Sequence, residues 1–162
     1  MTKEDFKKLF DAYFDSIRNY LFYKGADTEE ATDLAQDVFM RVWEKQFDAT
    51  NQSIVPLLYK MANDMFISKY RRKQLEITYL NGLTNNEIEK NSPEDTFVQK
   101  ELFLKYQRAL ANLSEKKRSV FLMSRMDGLS YKEIANRLNL SEKAIEKRMN
   151  LTISYLKKVL QY

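Results

Sequence analysis

Two stretches of the chain carry a helical rhythm of apolar residues, and between them the rhythm fails. In the first, Phe6, Leu9, Phe10, Tyr13, Phe14, Ile17, Tyr20 and Leu21 recur at three- and four-residue spacing, so one broad apolar stripe runs along a helix. Gly25 is placed to close that helix, and Asp27 with Glu30 three residues on forms a capping box that opens a second. The second helix has the cleanest period in the chain: Ala31, Leu34, Ala35, Val38, Phe39, Val42 and Trp43. A polar loop from Asp48 to Ser53 leads to Pro56 and a third helix ending in Tyr70-Arg71-Arg72-Lys73-Gln74. From roughly Leu75 to Asn91 the pattern disappears, and the polar run from Asn81 to Glu87 carries a turn signal, the reading of a flexible or partly helical linker. Ser92-Pro93-Glu94-Asp95 then supplies an N-cap, a proline at the first helical position and acids in the first turn. The expected organisation is a helical domain over 1–75, a linker over 76–91 and a second helical domain over 92–162.

The second block contains the most specific local pattern. After Ser114 a helix runs through Val120, Phe121 and Met123 and stops at Asp127-Gly128. Ser130 and Glu133 form another capping box, and Ile134, Ala135 and Leu138 line the inner face of a short helix. Asn139 stands at a turn that needs a left-handed residue, which asparagine tolerates. Leu140 plugs the space between helices, and Ser141 caps a longer helix with Ile145, Met149, Thr152 and Leu156 inward. A small residue at the crossing, a tight turn, a core plug and a basic second helix together read as a helix-turn-helix. The second helix presents Glu142, Lys143, Glu146, Lys147 and Asn150 outward. From Lys132 to Lys158 there are seven Lys/Arg against three Glu, an excess equal to the formal +4 of the whole chain. Arg and Lys suit phosphates and guanine edges, Asn can read adenine, and Glu can accept from cytosine. The plainer reading is a three-helix bundle with a solvated charged face.

Composition narrows the class. With three Gly and two Pro in 162 residues, a β-sandwich rich in turns is disfavoured, so the expected fold class is all-α. The absence of Cys and His excludes disulfides, thiolate chemistry, His-ligated zinc and a Ser-His-Asp triad. Asp33 and Asp37 lie one turn apart, but without a third acid clearly on their face no catalytic, metal or cofactor-binding residue is expected. The opening MTKEDFKK has no apolar signal region, and no apolar run of about 18 residues occurs. A cytoplasmic protein without membrane insertion is the expectation.

Three ordered motifs now carry a resemblance. The run DLAQDVFMRVWE from Asp33 to Glu44 resembles the polymerase-binding helix of the extracytoplasmic-function (group IV) sigma factors of bacterial RNA polymerase. The run LYKMANDMFISKYRR from Leu58 to Arg72 resembles their promoter-melting helix, and ALANLSEKKRSVFL from Ala109 to Leu122, with the helix-turn-helix, resembles their carboxy-terminal domain. Order and spacing agree over nearly the whole chain, the short linker included. The chain departs from the family's pattern at Ala62-Asn63-Asp64 and Ile67-Ser68, where the family often carries Ala-Arg-Asn and an acid, and at Asn139, where glycine is more frequent.

The resemblance implies roles position by position. Asp33, Gln36, Asp37 and Arg41 would contact the clamp helices of the largest polymerase subunit. The loop from Gln46 to Ile54 would capture a flipped-out base of the proximal promoter element, and such a pocket returns the few kcal/mol that extrusion costs. Asn63, Lys69, Arg71 and Arg72, with Phe66 and Tyr70 nearby, would support the melted strand, since cations follow the backbone and rings stack on bases. Spacing alone puts Phe66, Tyr70, Phe39 and Trp43 on the apolar stripe, where they read as core. Ser141, Glu142, Lys143, Glu146, Lys147, Arg148 and Asn150 would read the distal element. The implied partners are core RNA polymerase, double-stranded and melted promoter DNA, and an anti-sigma protein, with no cofactor. Rival readings are a free-standing helix-turn-helix regulator, an adaptor that uses the motif for packing, and an all-carboxylate metal enzyme.

Overall fold

The computed structural model describes residues 1–79 and 97–161, except for the side chains of residues 71–79 and 97. Among the described residues there are seven helices and no strand: α1 (Lys3–Lys24), α2 (Thr28–Lys45), α3 (Ile54–Tyr79), α4 (Phe97–Asn112), α5 (Glu115–Arg125), α6 (Tyr131–Leu138) and α7 (Glu142–Leu160). Caps set most of the starts. The side chains of Thr2, Asp27, Ser114, Ser130 and Ser141 accept backbone N–H bonds at the starts of α1, α2, α5, α6 and α7. At the other end of α1, Gly25 has φ 122° and donates to the carbonyls of Leu21 and Phe22. That backbone conformation is strained for any residue with a Cβ.

Helices α1, α2 and α3 form the first unit, because their apolar stripes have nowhere else to go. Leu9, Ile17, Tyr20 and Leu21 of α1 are buried against Ala31, Leu34, Ala35, Val38, Phe39 and Val42 of α2 and Ile54, Leu58, Tyr59, Ala62 and Phe66 of α3. At its centre Phe39 meets Phe6, Phe10 and Phe14, with ring centroids 6.4, 5.1 and 5.9 Å away. Helix α3 begins two residues before Pro56, which its first turn tolerates, and runs beyond the expected end at Gln74 to Tyr79. Leu75 to Tyr79 contains no proline or glycine, so nothing there stops the helix. The turn signal at Asn81–Glu87 and the cap at Ser92-Pro93 lie outside the described residues.

Helices α4 to α7 form the second unit around Val120, Phe121, Met123, Ile134, Ala135, Ile145, Met149 and Leu156. The turn between α6 and α7 follows the sequence reading. Asn139 is left-handed at φ 54°, ψ 48°, and the Leu140 N–H returns to the Ala135 carbonyl at 2.9 Å. Thr152, the one polar member of the inner face of α7, is buried with its hydroxyl donating to the Arg148 carbonyl at 2.8 Å. Helix α1 packs on α5 and α3 on α6, so the two units share a seam.

Buried tyrosines near that seam give the fold a pH signature. Tyr20 and Tyr59 meet edge to face at 5.0 Å, and burial raises both hydroxyl pKa values above the ordinary 10.0. An exposed tyrosine in the unfolded chain ionises first, so their stabilising contribution is complete below pH 10 and is lost as pH climbs above it. Thermal melts should therefore show a falling Tm above about pH 10, and that fall should be smaller in Tyr20→Phe/Tyr59→Phe.

Candidate nucleic-acid interface

Helix α7 is two-faced. Ile145, Met149, Thr152 and Leu156 are buried, whereas Glu142, Lys143, Glu146, Lys147 and Asn150 are all exposed along one contiguous side that starts at the exposed cap Ser141. The helix amino terminus carries partial positive charge from its unpaired N–H groups, which favours an approaching phosphate. Arg148 is apart from this set. It is half-buried on the other flank of the helix and lines a cavity between the two units.

That cavity, about 510 Å3, also brings in residues from the first unit. Asn63, Lys60, Lys24 and Ser53 line it opposite Arg148, Lys116 and the α6–α7 turn at Leu138, Asn139 and Leu140. Its lining holds four cations against the single carboxylate of Glu115. The loop before α3 is organised by its own side chains. Asp48 accepts from the Thr50 N–H at 2.9 Å and from its hydroxyl at 2.6 Å, and Asn51 accepts from the Ser53 N–H at 3.0 Å. The hydroxyl and N–H of Thr50 lower the pKa of the Asp48 carboxyl. Further along α3, Lys69 is half-buried; the side chains of Arg71 and Arg72 lie outside the described residues.

The aromatic residues divide. Phe39 and Phe66 are buried and Trp43 is half-buried, as their place on the stripe implies. Tyr70 is not core: it is 52% exposed and stacks nearly parallel on Phe66, with centroids 6.0 Å apart. One turn beyond Phe66 on the same stripe, its ring is open to solvent by half.

A second surface lies on α2. Asp33, Gln36, Asp37 and Arg41 are all exposed on one side, and Met40, 57% exposed, stands in the middle of them. Beside it is an apolar depression of about 240 Å3 lined by Lys3, Phe6, Met40 and Trp43. The sequence reading did not single out Met40. Its signal was an apolar residue at i+3 and i+4 from polar ones, off the buried stripe. Among the described residues no group of three or more acids is placed to hold a metal ion, and no helix is long and apolar enough to cross a membrane.

A helical two-unit protein with an exposed basic recognition helix defines the class of helix-turn-helix DNA-binding transcription factors. Comparison with known proteins takes this further. The family model for sigma-70 region 2 matches residues 9–76, and that for sigma-70 region 4 matches residues 103–152. The ferric citrate uptake sigma factor FecI of Escherichia coli is 32% identical over 143 residues, covering 88% of this chain and 83% of its own. The ECF RNA polymerase sigma factor SigW of Bacillus subtilis is 28% identical over 170 residues, covering 98% and 90%. Among solved structures, the sigma factor RpoE of Bartonella quintana, crystallised with the anti-sigma factor NepR, shares the fold at a TM-score of 0.67 and 20% identity, with 98% of each chain covered. The chain belongs to the extracytoplasmic-function sigma factors. It binds core RNA polymerase and directs promoter-specific transcription initiation, as a member of a family of non-enzymatic initiation factors, and the free-standing regulator is not favoured.

Proposed function

We propose that the exposed side of α2 is the polymerase-docking face, with Asp33, Gln36, Asp37 and Arg41 making polar contacts around an apolar anchor at Met40. The observation that carries this reading is the exposed methionine among four exposed polar residues, next to an apolar depression. An interface of that kind, apolar at the centre and polar at the rim, is what protein partners bury. The loop from Gln46 to Ile54, with Asn63 and Lys69 and the basic pair Arg71 and Arg72, serves the proximal promoter element and the melted strand. Tyr70 supplies a ring on which a base can stack. Ser141, Glu142, Lys143, Glu146, Lys147 and Asn150 serve the distal element, and Arg148 joins them only if α7 is approached from its seam side.

Residues 1–75 act as the core-binding and melting domain and 92–162 as the distal-reading domain, linked through 76–91. Splitting recognition lets each weak contact raise the effective concentration of the other. The protein performs no covalent chemistry, works in the cytoplasm, and is held in check by an anti-sigma protein. The Bartonella relative bound to such a factor supports the last point.

The test is retention by core RNA polymerase from the same host. Wild type should be retained stoichiometrically, and Asp37→Ala/Arg41→Ala should bind at least tenfold more weakly, about 1.4 kcal/mol, with its helical circular dichroism unchanged. Retention of the double variant at wild-type affinity removes the α2 face from the interface.

A further inference from the structure

The cavity of about 510 Å3 gathers cations that its own walls do not neutralise. Lys60 of α3, Lys116 of α5 and Arg148 of α7 line it, and none of them belongs to an ion pair among the described residues. Glu115 is the one carboxylate in the described lining, and it is already ion-paired with Lys24. Lys24 itself is buried, with its ammonium over the rings of Tyr20 and Phe66 at 5.3 and 5.4 Å. Arg118, close by but not on the wall, is committed elsewhere: it donates to the carbonyls of Tyr23 and Lys24, both at 2.7 Å.

The charges act on one spot. Burial lowers the pKa of Lys24 from the ordinary 10.5, Glu115 opposes that, and the cations of Lys116 and Arg118 add to the lowering. The hydroxyl of Tyr20, raised by its burial, is pulled back down by Arg148. Lys24, Lys116 and Arg148 thus come from three helices to the surroundings of Tyr20, where their mutual repulsion makes an incoming anion favourable. The rest of the wall is apolar. Pro56, Leu57, Leu138 and Leu140 line it beside the two tyrosine rings, and Arg137 holds the Tyr59 hydroxyl at 3.0 Å, which fixes that ring as a wall.

This lining selects a ligand class. A guanidinium fork suits a phosphate bidentately, and lysine ammoniums on flexible stems can converge on further phosphate oxygens. An inorganic anion would leave the apolar walls uncovered, whereas a nucleoside offers a planar body to set against them. The volume lies within the range of roughly 300–1,000 Å3 usual for pockets that take an organic ligand. We propose that this cavity is a binding site for a nucleoside polyphosphate, its phosphates on Lys60, Lys116 and Arg148 and its nucleoside against Pro56, Leu57 and Leu140. The site stands on the cavity alone, without the α2 or promoter-contact assignments.

ATP free of divalent cations, titrated into the full chain at low salt and followed by calorimetry, should bind at one site with Kd below about 100 μM. Adenosine and inorganic pyrophosphate should each bind at least about tenfold more weakly. Lys60→Gln/Lys116→Gln changes two exposed, unpaired side chains, so its helical circular dichroism should be that of wild type while ATP affinity falls at least about tenfold. Lys157→Gln/Lys158→Gln, at exposed lysines off the cavity wall, should bind ATP like wild type. Among the amide resonances, those of Asn139 and Leu140 should shift with ATP. No saturable binding, an equal loss in the two double variants, or shifts confined to other parts of the chain overturns the site. Pyrophosphate as tight as ATP overturns the nucleoside, and adenosine as tight as ATP overturns the phosphates. Phosphates of promoter DNA share this chemistry. If they are what the cations meet, the wild type takes no ATP and Lys60→Gln/Lys116→Gln instead makes the salt dependence of holoenzyme binding to promoter DNA shallower, a result that also overturns the proposal. The Asp37→Ala/Arg41→Ala retention test stands or falls independently.

Discussion

Phe39→Ala should unfold the first unit and abolish retention by core polymerase. Phe39 is 1% exposed and touches three other phenylalanine rings, so truncation removes a complete buried ring and leaves a cavity. Such changes cost about 3–5 kcal/mol. A whole small domain is stable by only about 5–15 kcal/mol, and a three-helix unit lies at the low end. The loss should be visible as a thermal transition shifted down by at least 10 °C, or absent, for the first unit, together with loss of polymerase binding. Phe39→Leu, which keeps most of the volume, should retain both. A Phe39→Ala protein that melts like wild type would mean the aromatic cluster is not the core of that unit.

The second large effect concerns α7. Lys143→Ala/Lys147→Ala should cut promoter-dependent transcription by the holoenzyme at least tenfold while leaving polymerase retention intact. Both lysines are exposed on the side of α7 opposite its buried face, so their removal creates no cavity. If each sits on a phosphate, the slope of log affinity against log salt becomes shallower by about two, because each contact contributes roughly 0.9. A lysine that instead meets a guanine edge costs about 1–3 kcal/mol at one base position and relaxes specificity there. Binding and run-off assays across a salt series separate the two. Wild-type transcription from the double variant would remove this face of α7 from promoter reading.

The parts legible in the sequence are those dictated by short-range rules. The helix-turn-helix could be read because a serine cap, a small crossing residue and a left-handed asparagine each have one structural meaning. All three were observed where expected: Ser130, Ala135 at 3% exposure, and Asn139 at φ 54°. The apolar stripe of α2 was likewise complete. Periodicity assigns a face but not its depth of burial: Tyr70 shares the stripe of Phe66, read as core, and is exposed. The end of α3 was misplaced because loss of amphipathicity was taken for loss of helix, whereas a helix can continue without an apolar stripe where no proline, glycine or cap stops it.

The seam was invisible for a different reason. Arg118, Arg137 and Glu115 sit on ordinary charged faces of α5 and α6, and their partners are 78 to 95 residues away. The one local trace is Lys24, which follows Ile17, Tyr20 and Leu21 on a buried face and puts an ammonium where an apolar residue belongs. A charge inside an apolar stripe marks a contact whose other half the stripe cannot name. Met40 is the mirror case, an apolar side chain on a polar face.

Helix α1 belongs to both surfaces. Lys3 and Phe6 at its start line the depression beside Met40 and Trp43, and Tyr23 and Lys24 at its end are held by Asp127, Glu115 and Arg118. Its 22 residues make a stiff rod about 33 Å long. A single rigid element therefore borders both the depression beside Met40 and the polar seam, so the two surfaces share one scaffold.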